Sequence, residues 1–250
     1  MNYKAIVCDV DDTLIVSRRN ALPSKRVIKA IKKTQEKGVI FSLATGRSLT
    51  YVKPLINLLQ LHHPLIIEGG ATIYHPKKKK VLWQSLLAPK TVSKIFAILS
   101  QKPYSFVVNA HLRRYVSPKK RMYKRVTRFI WYDIPTVEAR RLKSELSEIS
   151  GISVLYASSW SGKDNIDIHI TNQNATKQHA LLQLAQILII HPQEIIGVGD
   201  HENDLPLLLA CGLKVAMGNA VPNLKAIADY IAPTLEKDGV VDVIEKFVNF

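Results

Sequence analysis

The sequence predicts an α/β protein with a doubly wound, mainly parallel sheet as its core and a smaller α+β domain inserted into that core. Over the first 80 residues, short apolar segments alternate with helical segments, which is typical of parallel strands connected by helices. The same alternation returns after residue 171, and between about 83 and 170 it is replaced by a strand-rich pattern. We therefore expect residues 1–82 and 171–250 to form the core and residues 83–170 to form the inserted domain.

The first part of the core is predicted to alternate strand and helix. Ser24 is a suitable N-cap for the first helix, Gly38 follows its end, and Pro54 is expected to kink the second helix. The strands are predicted at 3–8, 39–44 and 64–70, and the helices at 24–37 and 48–60.

The change in pattern is predicted to start at 74–87, where alternation and a four-lysine turn indicate a hairpin. The strands of the inserted domain are expected near 81–86, 104–109, 112–116, 152–157 and 166–170, and its helices near 89–101 and 135–149. In the second part of the core, helices are predicted at 176–188, 203–212, 221–228 and 239–248, and strands at 194–199, 214–218 and 230–233.

Composition sets limits on the class of protein. Hydrophobic residues make up 47% of the 250 residues, which is enough for a packed core and argues against disorder. The sequence has no apolar run of about 18 residues and no signal-peptide pattern, so we expect neither a membrane span nor secretion. Cys8 and Cys211 lie in apolar segments without metal-ligand spacing, which indicates reduced core thiols in a cytoplasmic protein.

The formal net charge of +15 favours anionic partners. The predicted inserted domain holds 15 Lys and Arg against 6 Asp and Glu, and basic and aromatic residues are interleaved over 111–132. This mixture is one signature of nucleic-acid binding, and it equally fits an amphipathic segment whose aromatic residues lie in the core. A third interpretation is that Arg113 and Arg114 hold a second anionic group of a substrate. We favour a small phosphorylated metabolite as partner, leave nucleic acid open, and make no prediction of oligomeric state.

Polar residues cluster where the predicted core strands end. In open α/β sheets ligands bind at the carboxyl ends of the strands, so these residues are the candidates for the site. Lys177 begins the helix after the inserted domain. Carboxylates suit Mg²⁺, and the other side chains can hold a phosphate. The strand-end residues are Asp9, Asp11, Asp12 and Thr13, then Thr45, Gly46 and Arg47, and finally Asp200, Glu202, Asn203 and Asp204.

These motifs, in this order, resemble those of the haloacid dehalogenase (HAD) superfamily of phosphohydrolases. The sequence is most similar to the Cof-type branch (class IIB), and the resemblance covers essentially the whole chain. It implies a HAD-like, Rossmann-type core with an α+β cap domain inserted between the second and third motifs. The matching segments are "DVDDT" at 9–13, "TGR" at 45–47, "NATK" ending at Lys177, "GDHEND" at 199–204, "VAMGNA" at 215–220 and "DGV" at 238–240.

The resemblance also implies a role for each residue. Asp9 would be the nucleophile that forms an aspartyl-phosphate, and Asp11 the general acid and base. Asp9, Asp200 and the backbone carbonyl of Asp11 would bind Mg²⁺, with Asp204 either a ligand or directly behind the ligands. Thr45, Gly46 and Lys177 would hold the phosphoryl group. Asn203 would orient Asp9 or the phosphate, and Arg47 would contact the substrate or form a surface salt bridge.

The sequence therefore predicts a Mg²⁺-dependent phosphatase of a sugar phosphate or a phosphoglycolate-like metabolite. Two alternatives remain open at this point. One is a phosphomannomutase-like phosphotransferase, because that group of enzymes shares the core and this type of cap. The other is a nucleic-acid-binding or regulatory protein built on a phosphatase core.

Overall fold

The computed structural model describes residues 3–17, 21–116, 123–159, 162 and 164–248. The chain folds as two compact units, one formed by Met1–Trp83 with Thr176–Phe250 and the other by Gln84–Ala175. Among the described residues, no helix has both the length and the apolar composition that a membrane span requires.

Thirteen strands and eight α-helices are found in the described residues. The strands are β1 (Ala5–Cys8), β2 (Ile40–Leu43), β3 (Leu65–Ile67), β4 (Thr72–His75), β5 (Lys80–Gln84), β6 (Phe106–Ala110), β7 (Arg113–Val116), β8 (Val126–Pro135), β9 (Ile152–Ser158), β10 (Asn165–Asn172), β11 (Ile195–Gly199), β12 (Leu213–Ala216) and β13 (Tyr230–Ile231). The helices are α1 (Lys25–Glu36), α2 (Leu49–Leu58), α3 (Pro89–Ser100), α4 (Thr136–Ser147), α5 (Lys177–Leu188), α6 (Leu205–Leu209), α7 (Pro222–Ile227) and α8 (Gly239–Phe247).

The core unit contains a parallel five-stranded sheet in the order β13-β12-β11-β1-β2, which confirms the predicted fold class. All four residues of β1 are buried, as expected for an interior strand of a sheet covered on both faces. An isolated parallel bridge between Ala44 and Ile66 connects β2 to the smaller sheet β3-β4-β5. Because β1 pairs with β2 on one side and β11 on the other, its carboxyl end is the point where the strand order reverses.

The second unit contains an antiparallel sheet in the order β7-β6-β8-β10-β9. Side chains from α3 and α4, including Leu99 and Leu142, pack with Phe129 and Trp131 of β8 in one hydrophobic cluster. The prediction missed β8, although it is the central strand of this sheet. Its first six residues are all buried, so it lacks the polar–apolar alternation by which a half-exposed strand is identified.

The basic and aromatic segment at 111–132 is described except for residues 117–122. Phe129 and Trp131 lie in the hydrophobic cluster, and Tyr115 and Tyr123 pack against it with ring centroids 4.8 Å apart. These four aromatic side chains therefore contribute to the core of the second unit, as the amphipathic interpretation expects.

Candidate active site

Three aspartates meet at the carboxyl edge of the parallel sheet. Asp9 directly follows β1, Asp200 directly follows β11, and Asp204 ends the short 3-10 turn Glu202–Asp204. One carboxylate oxygen from each lies within 4.8 Å of the other two, and all three residues are buried. The sheet order explains this meeting, since β1 and β11 are hydrogen-bonded parallel neighbours.

Lys177 provides the positive charge next to these acids. It is the first residue of α5, whose N-cap Thr176 accepts a hydrogen bond from the backbone N–H of His179. Its buried Nζ donates to Asp9 Oδ1 at 2.6 Å and to Asp204 Oδ1 at 2.5 Å. Burial alone would lower the pKa of Lys177, but the charges of Asp204 and Asp9 outweigh it and hold the pKa above its ordinary value.

Asp204 uses both of its oxygens within the protein. Oδ1 accepts from Lys177, and Oδ2 accepts from the backbone N–H groups of Asp200 and His201 at 3.1 Å each. This side chain therefore fixes both the lysine and the turn after β11. Asp204 is one of the three acids that could hold a cation, and these bonds already engage both of its oxygens.

Asp200 is oriented by Thr13, whose hydroxyl donates to Asp200 Oδ1 at 2.6 Å. Burial raises the pKa of Asp200 to about 6, with the charges of Asp204 and Asp12 adding to the shift and the Thr13 bond opposing it. The pKa of Asp9 is raised well above its ordinary value by burial and then by the charge of Asp204, and Lys177 opposes that shift. Both shifts show that this edge of the sheet is unfavourable for carboxylate charge.

A divalent cation fits this donor set. The three buried aspartates carry three negative charges when ionised, and one lysine balances only part of that charge. Hard oxygen ligands of this kind are the ones that Mg²⁺ binds. A bound cation would also reverse the raised carboxylate pKa values, since it favours the charged form.

The turn after β2 lies beside this cluster. Thr45 is fully buried, and its hydroxyl accepts a hydrogen bond from the backbone N–H of Arg47 at 3.1 Å, across Gly46. The Arg47 side chain forms a two-point ion pair with Asp11, which is the second carboxylate of the "DVDDT" segment. Asn203, in contrast, is exposed, whereas Asp204 beside it is fully buried.

Two residues of this site had no role in the sequence-based prediction. Asn219, in the segment "VAMGNA", donates through Nδ2 to the carbonyl of Asp12 at 2.8 Å and accepts from the backbone N–H of Leu235 at 3.0 Å. Gly70 packs against the start of α5. No local pattern indicates either contact, because each joins segments that are far apart in the sequence.

Replacing Gly70 with alanine is expected to disturb Lys177. The new Cβ would lie 2.3 Å from the carbonyl carbon and oxygen of Thr176 and 2.8 Å from the Lys177 nitrogen, so the start of α5 must move. Gly69→Ala is the matched control, because Gly69 also has a positive φ, 71°, but open space around it. We expect Gly69→Ala to cost about 1–2 kcal/mol and Gly70→Ala about 1–3 kcal/mol more, measured by urea unfolding. Equal losses for the two variants would contradict this account of Gly70.

The comparisons with known proteins concern almost the whole chain. The family model for haloacid dehalogenase-like hydrolases matches residues 6–140 and 126–244. A phosphoglycolate phosphatase of Methanopyrus kandleri is 26% identical over 247 residues, with 98% of this chain and 97% of that protein covered. A 5-amino-6-(5-phospho-D-ribitylamino)uracil phosphatase of Bacillus subtilis is 26% identical over 253 residues, with 99% and 97% covered.

Among solved structures, a haloacid dehalogenase-like hydrolase from Bacteroides thetaiotaomicron superposes with a TM-score of 0.85 at 23% identity. The match covers 98% of this chain and 99% of that protein. At this level of identity the similarity supports the fold.

Proposed function

Because the chain belongs to the haloacid dehalogenase-like hydrolases, we propose that it is a Mg²⁺-dependent phosphatase that hydrolyses a small phosphorylated metabolite through Asp9. The observation that carries this proposal is the buried contact between Asp9 and Lys177 beside Asp200 and Asp204. The two phosphatases compared above act, by their names, on different phosphate esters, so we propose only the class of substrate. That class is a phosphoglycolate-like metabolite or a sugar phosphate.

The first half of the proposed reaction transfers the phosphoryl group to the enzyme. Lys177 holds Asp9 Oδ1, which leaves Oδ2 to attack phosphorus. As the bond between Asp9 Oδ2 and phosphorus forms, the bond between phosphorus and the ester oxygen breaks, and Asp11 gives its proton to that oxygen. The product alcohol leaves, and Asp9 carries the phosphoryl group.

The second half returns the enzyme to its starting state. Asp11, now a carboxylate, takes a proton from a water molecule as the water oxygen attacks phosphorus. The bond between phosphorus and Asp9 Oδ2 breaks, inorganic phosphate is released, and Asp11 is protonated again. Throughout both halves Thr45 and Lys177 hold the phosphoryl oxygens, with Gly46 and Asn203 as further candidates for substrate contact, so most of the rate enhancement comes from positioning and charge.

Asp9, Asp200 and the backbone carbonyl of Asp11 would hold Mg²⁺, and Asp204 would act behind them by fixing Lys177. When bound, the cation neutralises carboxylate and phosphate charge that one lysine cannot balance. Beyond holding the cation, the acids differ in what their side chains do. Asp9 reacts, Asp11 moves protons, Asp200 binds the cation, and Asp204 orients the lysine.

Removing the cation is expected to abolish phosphate release, and adding Mg²⁺ is expected to restore it. Asp200→Ala should raise the Mg²⁺ concentration for half activity by at least about 100-fold. Thr13→Val removes the hydrogen bond that orients Asp200 but keeps its carboxylate, so it should raise that concentration about 10-fold. The measurement is phosphate release against Mg²⁺ concentration after treatment with a chelator. Full activity in excess chelator would rule out this metal site.

The substrate itself is best sought with a panel of phosphorylated metabolites. Release of inorganic phosphate with no isomerised phosphate ester separates hydrolysis from the mutase-like alternative.

The second unit is our candidate for substrate selection, with Arg113 and Arg114 as candidate contacts to a second anionic group. Arg113 is exposed, whereas Arg114 donates to the hydroxyl of Tyr132 at 2.7 Å and lies over its ring, so the two arginines differ in how firmly they are held.

A further inference from the structure

We propose that Arg47 is the positioning residue for Asp11, and that its guanidinium holds the Asp11 carboxylate where it can take a proton from the water molecule that attacks phosphorus in the second half of the reaction. This inference rests on the proposed function, because it concerns the proton transfer of that reaction. It differs from the interpretation of Arg47 as a substrate contact or as an incidental surface salt bridge.

The contact between the two side chains is bidentate. Arg47 Nη2 donates to Asp11 Oδ1 at 2.6 Å, and Nε donates to Oδ2 at 3.1 Å. Two parallel bonds from a planar fork fix the orientation of a carboxylate as well as its distance, which a lysine at the same position cannot do.

The base of Arg47 is itself held firmly. Its backbone N–H donates to the Thr45 hydroxyl at 3.1 Å, and its carbonyl accepts from the backbone N–H of Glu68 at 2.9 Å. The turn that carries Arg47 is therefore bound to the strand end on one side and to the loop after β3 on the other. Because the backbone of this turn is restrained, the Arg47 guanidinium can restrain a side chain on the loop after β1.

The side chain of Asp11 needs a partner that fixes its orientation. Its side chain is 36% exposed, whereas those of Asp9 and Asp204 are 7% and 0% exposed and are both held by Lys177. An exposed side chain on a loop loses its rotamer freedom only where a partner fixes it. Proton transfer from the attacking water requires hydrogen-bond reach, so a carboxylate that turns freely would spend little time in the reactive orientation.

The test is a double-mutant cycle with Arg47→Met and Asp11→Asn on a confirmed substrate. Glycerol phosphate, or any accepted alkyl phosphate, has a leaving group that needs a proton, whereas 4-nitrophenyl phosphate has one that does not. We expect Arg47→Met to lower the steady-state kcat for 4-nitrophenyl phosphate about 10- to 100-fold with little change in KM, because hydrolysis of the phosphorylated enzyme then lacks a positioned base. The pre-steady-state burst of 4-nitrophenol should keep its rate, because that step requires no proton from Asp11.

The cycle then separates positioning from the other roles. If Arg47 acts through Asp11, the double variant Arg47→Met/Asp11→Asn should have almost the same kcat as Asp11→Asn alone. Arg47→Lys, which keeps the charge and loses the fork, should resemble Arg47→Met. Arg26→Met is the matched control, because the ion pair that Arg26 forms within the described residues is an exposed contact of 3.4 Å with Glu245. This variant should behave as the unmodified protein.

Three results would overturn the proposal. A rise in KM for both substrates with kcat unchanged would make Arg47 a substrate ligand, and effects that multiply in the double variant would separate it from Asp11. Unchanged kinetics in Arg47→Met would make the ion pair incidental. Failure of the proposed function is a different observation, namely that the unmodified protein releases phosphate from neither type of ester.

Discussion

Asp9→Asn is expected to lower the rate of phosphate release by about 10⁴- to 10⁶-fold while the protein remains folded. The reason is chemical, since the amide of asparagine is a poor nucleophile and cannot form the bond to phosphorus. The fold should survive, because the variant removes one of three buried carboxylates that lie together and leaves Lys177 paired with Asp204. The measurements are phosphate release, circular dichroism and the unfolding midpoint.

Asp12→Asn is the matched control for this variant. Asp12 lies three residues along the same loop, and its Oδ1 accepts from the backbone N–H of Ser17 at 2.8 Å, a bond that an asparagine oxygen can also accept. We expect its activity to stay within a few-fold of the unmodified protein. Near-normal turnover of Asp9→Asn would show that the nucleophile is wrongly assigned. Mass spectrometry of the quenched unmodified enzyme should show a phosphoryl adduct on the peptide that contains Asp9.

Lys177→Met is expected to lower the free energy of unfolding more than any other charge-removing variant considered. Removing the lysine leaves Asp9 and Asp204 buried without their cationic partner. Breaking one side of a buried ion pair costs about 3–5 kcal/mol, because the remaining charge keeps its desolvation penalty. The free energy of unfolding, measured in urea without divalent cations, should fall by about that amount, and activity should be lost as well.

Lys214→Met provides the control for the loss of a lysine from an ion pair. Lys214 contacts Asp229 at 2.8 Å, with 26% and 40% of the two side chains exposed. Pairs this accessible to solvent contribute about 0–1 kcal/mol, so the variant should unfold almost as the unmodified protein does. If Lys177→Met were no less stable than Lys214→Met, the buried lysine would not hold the acidic cluster together.

The sequence predicted the core unit better than the second unit. Strands of a buried parallel sheet are short apolar runs, and the helices between them begin and end at characteristic capping residues. Both signals can be identified from short stretches of sequence alone. In the second unit the central strand β8 was missed. It carries Arg128 among its buried residues, and its first six residues are buried whichever face of the sheet they lie on, so the strand has no alternation of its own.

The sequence by itself determined the α/β alternation, the interruption of the core, and the acidic and hydroxyl residues that follow the core strands. These features depend on residue type and short spacing. Only the tertiary structure decided which of these residues meet. Lys177 reaches Asp9 across 168 positions of the chain, Thr13 reaches Asp200 across 187, and Arg47 binds Asp11 rather than standing alone. The physical reason is that the order of strands in the sheet brings distant strand ends to one edge, and local periodicity carries no information about that order.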